Sequence, residues 1–175
     1  MNYANIKFTD ISNGIGVRTS LFVSGCTHHC KGCFNPETWD FGYGKEYTKE
    51  TEEKIIESLK PPFIAGLSLL GGEPFEPENS GELAALCKKV KEKYPEKTIW
   101  CYSGYLFDKD MLSGKLSGVK STRELLEQID VLVDGEFVLS QKDISLKFRG
   151  SANQRIIDVP ASLSEGRIVL VPELN

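Results

Sequence analysis

Apolar positions along the chain follow two spacings, and the switches between them divide it into strands and helices. VRTSLFVS (17–24) is rich in β-formers and reads as a strand. Between 48 and 60, Glu50, Glu52 and Glu53 come early, Ile55, Ile56 and Leu59 come late, and Pro61 and Pro62 stop the run. That pattern predicts a helix whose acids suit the positive end of its dipole. FIAGLSLL (63–70) is a nearly continuous apolar run, as expected of a strand buried on both faces. Leu83, Leu86, Cys87, Val90 and Tyr94 recur at helical spacing and predict a helix over about 80–94. KTIWCY (97–102) predicts a strand running into a loop at Ser103, Gly104 and Tyr105, and Ser121 with Glu124 three residues later predicts a capped helix start. DVLVD (130–134) and RIVLV (167–171) complete the expected strands.

Strand and helix thus alternate, which predicts a mainly parallel sheet with right-handed crossovers. A full eight-fold barrel takes about 250 residues, so 175 residues suit a shortened, open, TIM-like partial barrel with outer helices, or a flat doubly wound sheet. Both arrangements place the working loops at the C-terminal ends of the parallel strands. Here those loops are the segment 24–35, the turn Gly71-Gly72-Glu73-Pro74, the step Ser103-Gly104-Tyr105, and Asp134-Gly135.

The length suits a single domain over 1–175 with a core that needs no disulfide staples. Twenty-one basic against 25 acidic residues give a formal charge of −4 with no block of like charge, so a broad nucleic-acid-binding face is not expected. Neither an apolar leader nor a run long enough to span a bilayer is evident, and a cytoplasmic protein is expected.

Cysteine usage sharpens the picture. Cys87 and Cys101 sit at apolar-periodic positions and read as core thiols. The other three crowd into SGCTHHCKGCFN (24–35), at positions 26, 30 and 33. In a reducing compartment such a cluster points to metal or redox chemistry. Two readings fit: a structural zinc site closed by His28 or His29, or a four-iron four-sulfur cluster with three irons on cysteine and the fourth open to a ligand.

Cys26-x3-Cys30-x2-Cys33 followed by Gly71-Gly72-Glu73-Pro74 after a buried strand resembles the radical S-adenosylmethionine superfamily. The segments NGIGVRTSLFVSGC, TWDF and RGSANQRIIDV resemble the activating proteins of the anaerobic ribonucleoside-triphosphate reductase. The resemblance covers nearly the whole chain. It implies one 4Fe-4S cluster on Cys26, Cys30 and Cys33, S-adenosylmethionine bound at its open iron, and reductive cleavage to a 5′-deoxyadenosyl radical that leaves a glycyl radical on the reductase. A flavodoxin- or ferredoxin-type electron donor is implied as well. Three cysteines are then a requirement, because a fourth would block the open iron.

On the same resemblance, Gly71, Gly72, Glu73 and Pro74 form the cofactor turn, with Glu73 or nearby carbonyls accepting from the cofactor's ammonium group. Ser103 and Gly104 lie near the nucleoside, and Asp134 accepts from the ribose hydroxyls or else is a helix cap or a solvated turn acid. Gly32 stands where many members carry an aromatic residue before the third cysteine, leaving Phe34 as a substitute for stacking on the adenine. Glu136 stands where larger activases carry a lysine, leaving Arg18 as a candidate for the cofactor carboxylate. His28 and His29 are expected to be exposed loop or partner-facing residues. Arg149, Asn153, Gln154 and Arg155 are expected to close the pocket or meet the partner. A radical enzyme acting on a small metabolite, such as a 7-carboxy-7-deazaguanine synthase, would share the cysteine and GGEP motifs, and a zinc module would ignore S-adenosylmethionine.

Overall fold

The computed structural model describes residues 1–174. Seven strands form one open sheet in the order β3-β1-β2-β4-β5-β6-β7: β1 Asn2–Asp10, β2 Val17–Val23, β3 Lys45–Glu46, β4 Ile64–Gly71, β5 Thr98–Ser103, β6 Val131–Asp134 and β7 Arg155–Asp158. The four central strands, β2, β4, β5 and β6, run parallel. Antiparallel pairings add β1 and β3 at one edge and β7 at the other. Helices α1 (Lys49–Ser58), α2 (Pro77–Lys93) and α3 (Lys120–Leu126) fill the crossovers between parallel neighbours, and α4 (Val159–Glu165) follows β7.

Because side chains alternate along a strand, the sheet has two distinct faces. Leu21, Val23, Leu67, Leu69, Ile99, Cys101, Leu132 and Ile157 point to the helical side, where they pack with Ile55 and Leu59, and with Leu83, Leu86, Cys87 and Val90 of α2, in the main core. Each such buried aliphatic side chain contributes about 1.5–3 kcal/mol. Cys87 and Cys101 are fully buried there, as expected, and burial pushes both thiols well above the ordinary range.

The opposite face is mixed. Ser20 pairs with Ser68 and Phe22 with Leu70, and Ser68 pairs in turn with Trp100. Only Trp100, Val133 and Ile156 form a compact apolar group there, flanked by Phe148, Val171 and Leu174. The remainder of this face is left for a cavity.

Arg18 is buried within the sheet, and its guanidinium meets only neutral acceptors. Nε donates to Ser68 Oγ, Nη1 to Ile15 O and Thr98 Oγ1, and Nη2 to Leu67 O and Thr98 O. All five of its N–H donors are used. Burial lowers its pKa to about 10. Ser68 passes the contact on, its Oγ donating to Asn13 O at 2.6 Å, and Asn13 Nδ2 binds Asp10 at 2.6 Å. Arg18 therefore pins the loop between β1 and β2 and has no donor left for a cofactor carboxylate.

Two expectations are corrected. RIVLV (167–171) forms no strand but touches β7 through one isolated bridge, Ile157 to Leu170; it lies beyond the sheet edge and is only partly covered. The edge strand is instead Arg155–Asp158, inside the polar-led segment. Ser121 does not cap α3, whose N-cap is Val119 without a side-chain bond; the Ser121 hydroxyl pairs with Ser80 at 2.7 Å and ties α3 to α2. Thr48 does cap α1, accepting from Thr51 N. No helix among the described residues is long and apolar enough to cross a membrane.

Candidate functional site

The cysteine loop leaves β2 at Val23 and is held from behind by main chain. Gly25 N donates to Thr38 O at 2.8 Å and Cys26 N to Trp39 O at 3.2 Å, so the short helical turn Pro36–Trp39 braces the entry to the first cysteine. On its other side the loop meets the turn after β4. Gly72 N donates to Val23 O, and Glu73 N to Gly25 O, each at 2.8 Å. Contact is so close that a Cβ on Gly72 would stand 2.6 Å from Gly25 O and 3.0 Å from Thr38 O. Gly71 has φ +106°, and a Cβ there would meet Phe22 and Val23 backbone at 2.8 Å. These glycines are required first by loop-to-loop packing.

Glu73 is 1% exposed, and four donors converge on it. Oε1 accepts from Phe75 N at 2.8 Å and Ser103 Oγ at 2.9 Å; Oε2 accepts from Gly104 N at 2.7 Å and lies 3.1 Å from His28 Nε2. The Ser103-Gly104 step is thereby fastened to the GGEP turn. Three residues on, at the N-cap of α2, Glu76 accepts from Thr27 N at 2.8 Å and Thr27 Oγ1 at 2.5 Å. Asn79 Nδ2 bridges Ser24 O and Glu73 O, both at 3.0 Å.

His28 departs most from expectation. Its side chain is 7% exposed, with Nδ1 2.9 Å from Glu136 Oε1 and its ring edge-on to Tyr105 at 4.3 Å. Burial opposes its charge, but Glu73 and then Glu136 outweigh burial and raise its pKa above the ordinary value. A partly apolar, two-carboxylate nest is thus its place, not the solvent. His29 is exposed as expected and stacks on Trp39 at 4.7 Å.

Cys26, Cys30 and Cys33 carry free thiols and share one cavity of about 620 Å³. Burial pushes the Cys26 thiol up to about 12, with the Glu73 and Glu76 charges adding to it, and burial also raises Cys30. Such thiols become thiolates only when a cationic centre displaces their protons. Among the described residues, no three His, Cys, Asp or Glu side chains gather around a point that would hold a single ion. Both ring nitrogens of His28 are occupied, so it is not free to complete a tetrahedral zinc site. A four-iron cluster, which takes each thiolate at a separate iron, fits this donor set better.

The same cavity is lined by Phe34, Gly71, Gly72, Glu73, Ser103 and Gly104, so most of the residues expected at the site are brought together. Phe34 stands at the mouth, 62% exposed, with Phe137 at 5.1 Å. Pro74 is buried behind the turn, outside the lining. Asp134 is fully buried, its oxygens are taken by Arg155 and by Phe107 N, and it is not among the cavity-lining residues, so it braces the site from beneath. Of the late polar group, Arg149 and Gln154 line the cavity, Asn153 Nδ2 binds Glu136 O at 2.9 Å, and Arg155 lies behind. Gln154 closes the 135–154 loop on itself, accepting from Gly150 N and Ser151 N and donating to Gly135 O. Sequence reasoning missed Lys7, Ser12, Asn13 and Tyr102, which also line the cavity. For Lys7 and Tyr102 the one available signal was strand alternation on β1 and β5; Ser12 and Asn13 lie in the loop between β1 and β2 and carried none.

A family model described as a 4Fe-4S single cluster domain matches residues 12–157. The chain is 46% identical over 159 residues to the anaerobic ribonucleoside-triphosphate reductase-activating protein of Vibrio cholerae, covering 89% of this chain and 97% of that one. Against the protein of the same name from Haemophilus influenzae it is 45% identical over 158 residues, covering 89% and 97%. The namesake from Enterobacteria phage T4 is 39% identical over 158 residues, covering 89% and 93%. The chain belongs to the anaerobic ribonucleoside-triphosphate reductase-activating protein family. The 4Fe-4S match takes in every cavity-lining residue of this activating-protein chain except Lys7, since it begins at Ser12 and runs past Gln154.

Proposed function

We propose that the chain is an iron–sulfur activase that installs the glycyl radical on the anaerobic ribonucleoside-triphosphate reductase, using one 4Fe-4S cluster, S-adenosylmethionine and an electron from a flavodoxin- or ferredoxin-type donor. One observation carries this reading: the three cysteines, the Gly71-Gly72-Glu73 turn and the Ser103-Gly104 step converge on one cavity at the C-terminal ends of parallel strands. Bound there, the cluster and S-adenosylmethionine would supply the reducing electron and the 5′-deoxyadenosyl radical that takes hydrogen from a glycine Cα.

The protein's own residues bind, orient and exclude water. Cys26, Cys30 and Cys33 are the thiols that would hold the cluster. Glu73 already accepts from four donors on its carboxylate and from Asn79 and Glu76 on its carbonyl, so the carbonyls of Gly71 and Gly72 are left to receive the cofactor's ammonium group. With Arg18 committed to the sheet, Lys7 is the cavity-wall cation suited to its carboxylate; Arg149 also lines the wall but is engaged, its Nη1 donating to Gln154 O at 2.7 Å. Phe34 and Phe137 shield the mouth. We read the open sheet as a shortened TIM-like barrel within a single domain, supported by the parallel centre whose strand-end loops line the cavity. A cytoplasmic location accords with the free thiols. The zinc module has no comparable observation in its favour, and the small-metabolite enzyme would share the cavity's motifs but not the likeness to the activating proteins over 89% of the chain.

The test is anaerobic reconstitution with iron and sulfide, then electron paramagnetic resonance of the reduced protein with and without S-adenosylmethionine, followed by addition of the reductase. A signal that shifts with the cofactor, and a glycyl radical on the reductase, are expected. Zinc in place of a cluster, or a signal indifferent to the cofactor, would overturn the proposal.

A further inference from the structure

His28 lies between two cysteines in sequence, yet its ring serves the other three loops. Nε2 is 3.1 Å from Glu73 in the loop after β4, and Nδ1 is 2.9 Å from Glu136 in the loop after β6. The ring covers Gly104, where a Cβ would come within 2.6 Å of it, and meets Tyr105 edge-on at 4.3 Å, both in the loop after β5. One imidazole therefore joins the cysteine loop to every other loop at this end of the parallel strands.

The cysteine loop does not need this ring to hold its course. Gly25 and Cys26 are braced by Thr38 and Trp39, Thr27 by Glu76, and Asn35 N donates to Cys33 Sγ at 3.4 Å. What depends on His28 is relative placement. Without it Glu73 loses one of its four partners, the backbone face of Gly104 is uncovered, and Glu136 is released from the rim.

We propose that His28, oriented by Glu136, is a positioning residue that sets the cysteine loop against the 71–73 and 103–104 turns, so that S-adenosylmethionine on those turns meets the cysteine-held cluster. This inference rests on the functional reading above. It assigns His28 no bond to iron, and it separates loading of the cluster from capture of the cofactor.

Full-length wild type, His28→Ala, His28→Gln and Glu136→Gln are reconstituted anaerobically; iron and sulfide content, the dissociation constant for S-adenosylmethionine, and the reduced resonance signal with and without it are measured. All four should load iron as wild type does. His28→Ala should bind S-adenosylmethionine about tenfold more weakly, the scale of one lost hydrogen bond to a charged group, and lose the cofactor-induced change in signal. His28→Gln, which keeps a donor for Glu73, should recover most of that loss. Glu136→Gln, altered at a side chain 57% exposed and therefore safe for folding, should weaken binding about threefold, as expected when only an orienting partner is changed. Wild-type affinity in His28→Ala overturns the inference, as does failure of that variant to load iron while Glu136→Gln binds the cofactor unchanged. A wild-type signal that ignores S-adenosylmethionine overturns the functional reading and this inference together, whereas a responsive wild type with unaffected variants overturns this inference alone.

Discussion

Arg155 grips Asp134 across the last pairing of the sheet. The two are register partners on β7 and β6; Arg155 Nε lies 2.8 Å from Asp134 Oδ1, and Nη2 makes a second, shorter contact with Oδ2. Asp134 is fully buried, so the pair, together with the donation from Phe107 N, leaves its carboxylate saturated and turned away from the cavity. A side chain that sequence position offers to a ribose is thus used to anchor the antiparallel edge.

Removing one member of a buried pair strands the other. Arg155→Ala should destabilise the protein by about 3 kcal/mol, because the carboxylate is left without its counter-charge. Urea unfolding measures this. A loss below about 1 kcal/mol would mean that Asp134 is satisfied without Arg155.

Arg155 also holds Asp108, at 2.8 Å. Burial raises the Asp108 pKa, but the bond and charge of Arg155 outweigh it and hold the carboxyl below its usual range. A carboxyl with a depressed folded-state pKa contributes stability above its unfolded value of about 3.9, and loses it as pH falls through the folded value. Asp108→Asn should therefore be less stable than wild type near neutrality, by under about 1 kcal/mol because solvent reaches the pair. The gap should close in acid. Parallel denaturation curves across pH check it, and a gap that widens in acid would refute the assignment.

Gly72 and Gly118 separate packing from backbone freedom. Gly72→Ala forces a methyl against Gly25 O and Thr38 O, at 2.6 and 3.0 Å, and both are main-chain atoms. The variant should lose about 1–3 kcal/mol and load less iron, because the cysteine loop must back away from the turn. Gly118→Ala meets nothing within 4 Å and should be neutral, or more stable by up to about 1 kcal/mol. Melting temperature and iron content distinguish the two.

The cysteines divide in the same way. Cys26→Ala, Cys30→Ala and Cys33→Ala should each abolish cluster formation and cofactor cleavage. Cys87→Ala, in the core of α2 with no exposure, should cost about 1–2 kcal/mol and leave the cluster intact. Iron analysis and the resonance spectrum decide. A Cys30 variant that still cleaves S-adenosylmethionine would remove Cys30 from the ligand set.

Periodicity was a sound guide wherever burial is two-sided or the helix face is simple. The apolar run of β4, the Leu83, Leu86, Cys87 and Val90 stripe of α2, and the acid-led α1 stand as expected, because local pattern and tertiary burial agree there. Pattern failed at the edges. RIVLV has strand composition but meets the open edge of β7 through a single bridge, Ile157 to Leu170, whereas Arg155–Asp158, led by a charge, pairs along its length with β6 and sets Arg155 against Asp134. Ser121 carries a capping-box spacing, yet Ser80 on the neighbouring helix takes its hydroxyl.

The sequence by itself determined the chemistry: three thiols in eight positions, a GGEP turn after a buried strand, and the family they indicate, since ligand type and short-range spacing are written in one dimension. The tertiary structure alone decided which polar groups remain free for that chemistry. Arg18, Asp134 and Glu73 all look available in the sequence, and all three are engaged in the fold, by backbone carbonyls and two hydroxyls, by Arg155 with Phe107 N, and by a four-donor nest. His28, read as a surface residue, becomes the contact shared by four loops. The reason is physical: a buried polar group must find its partners, those partners come from distant parts of the chain, and only packing brings them within hydrogen-bonding distance.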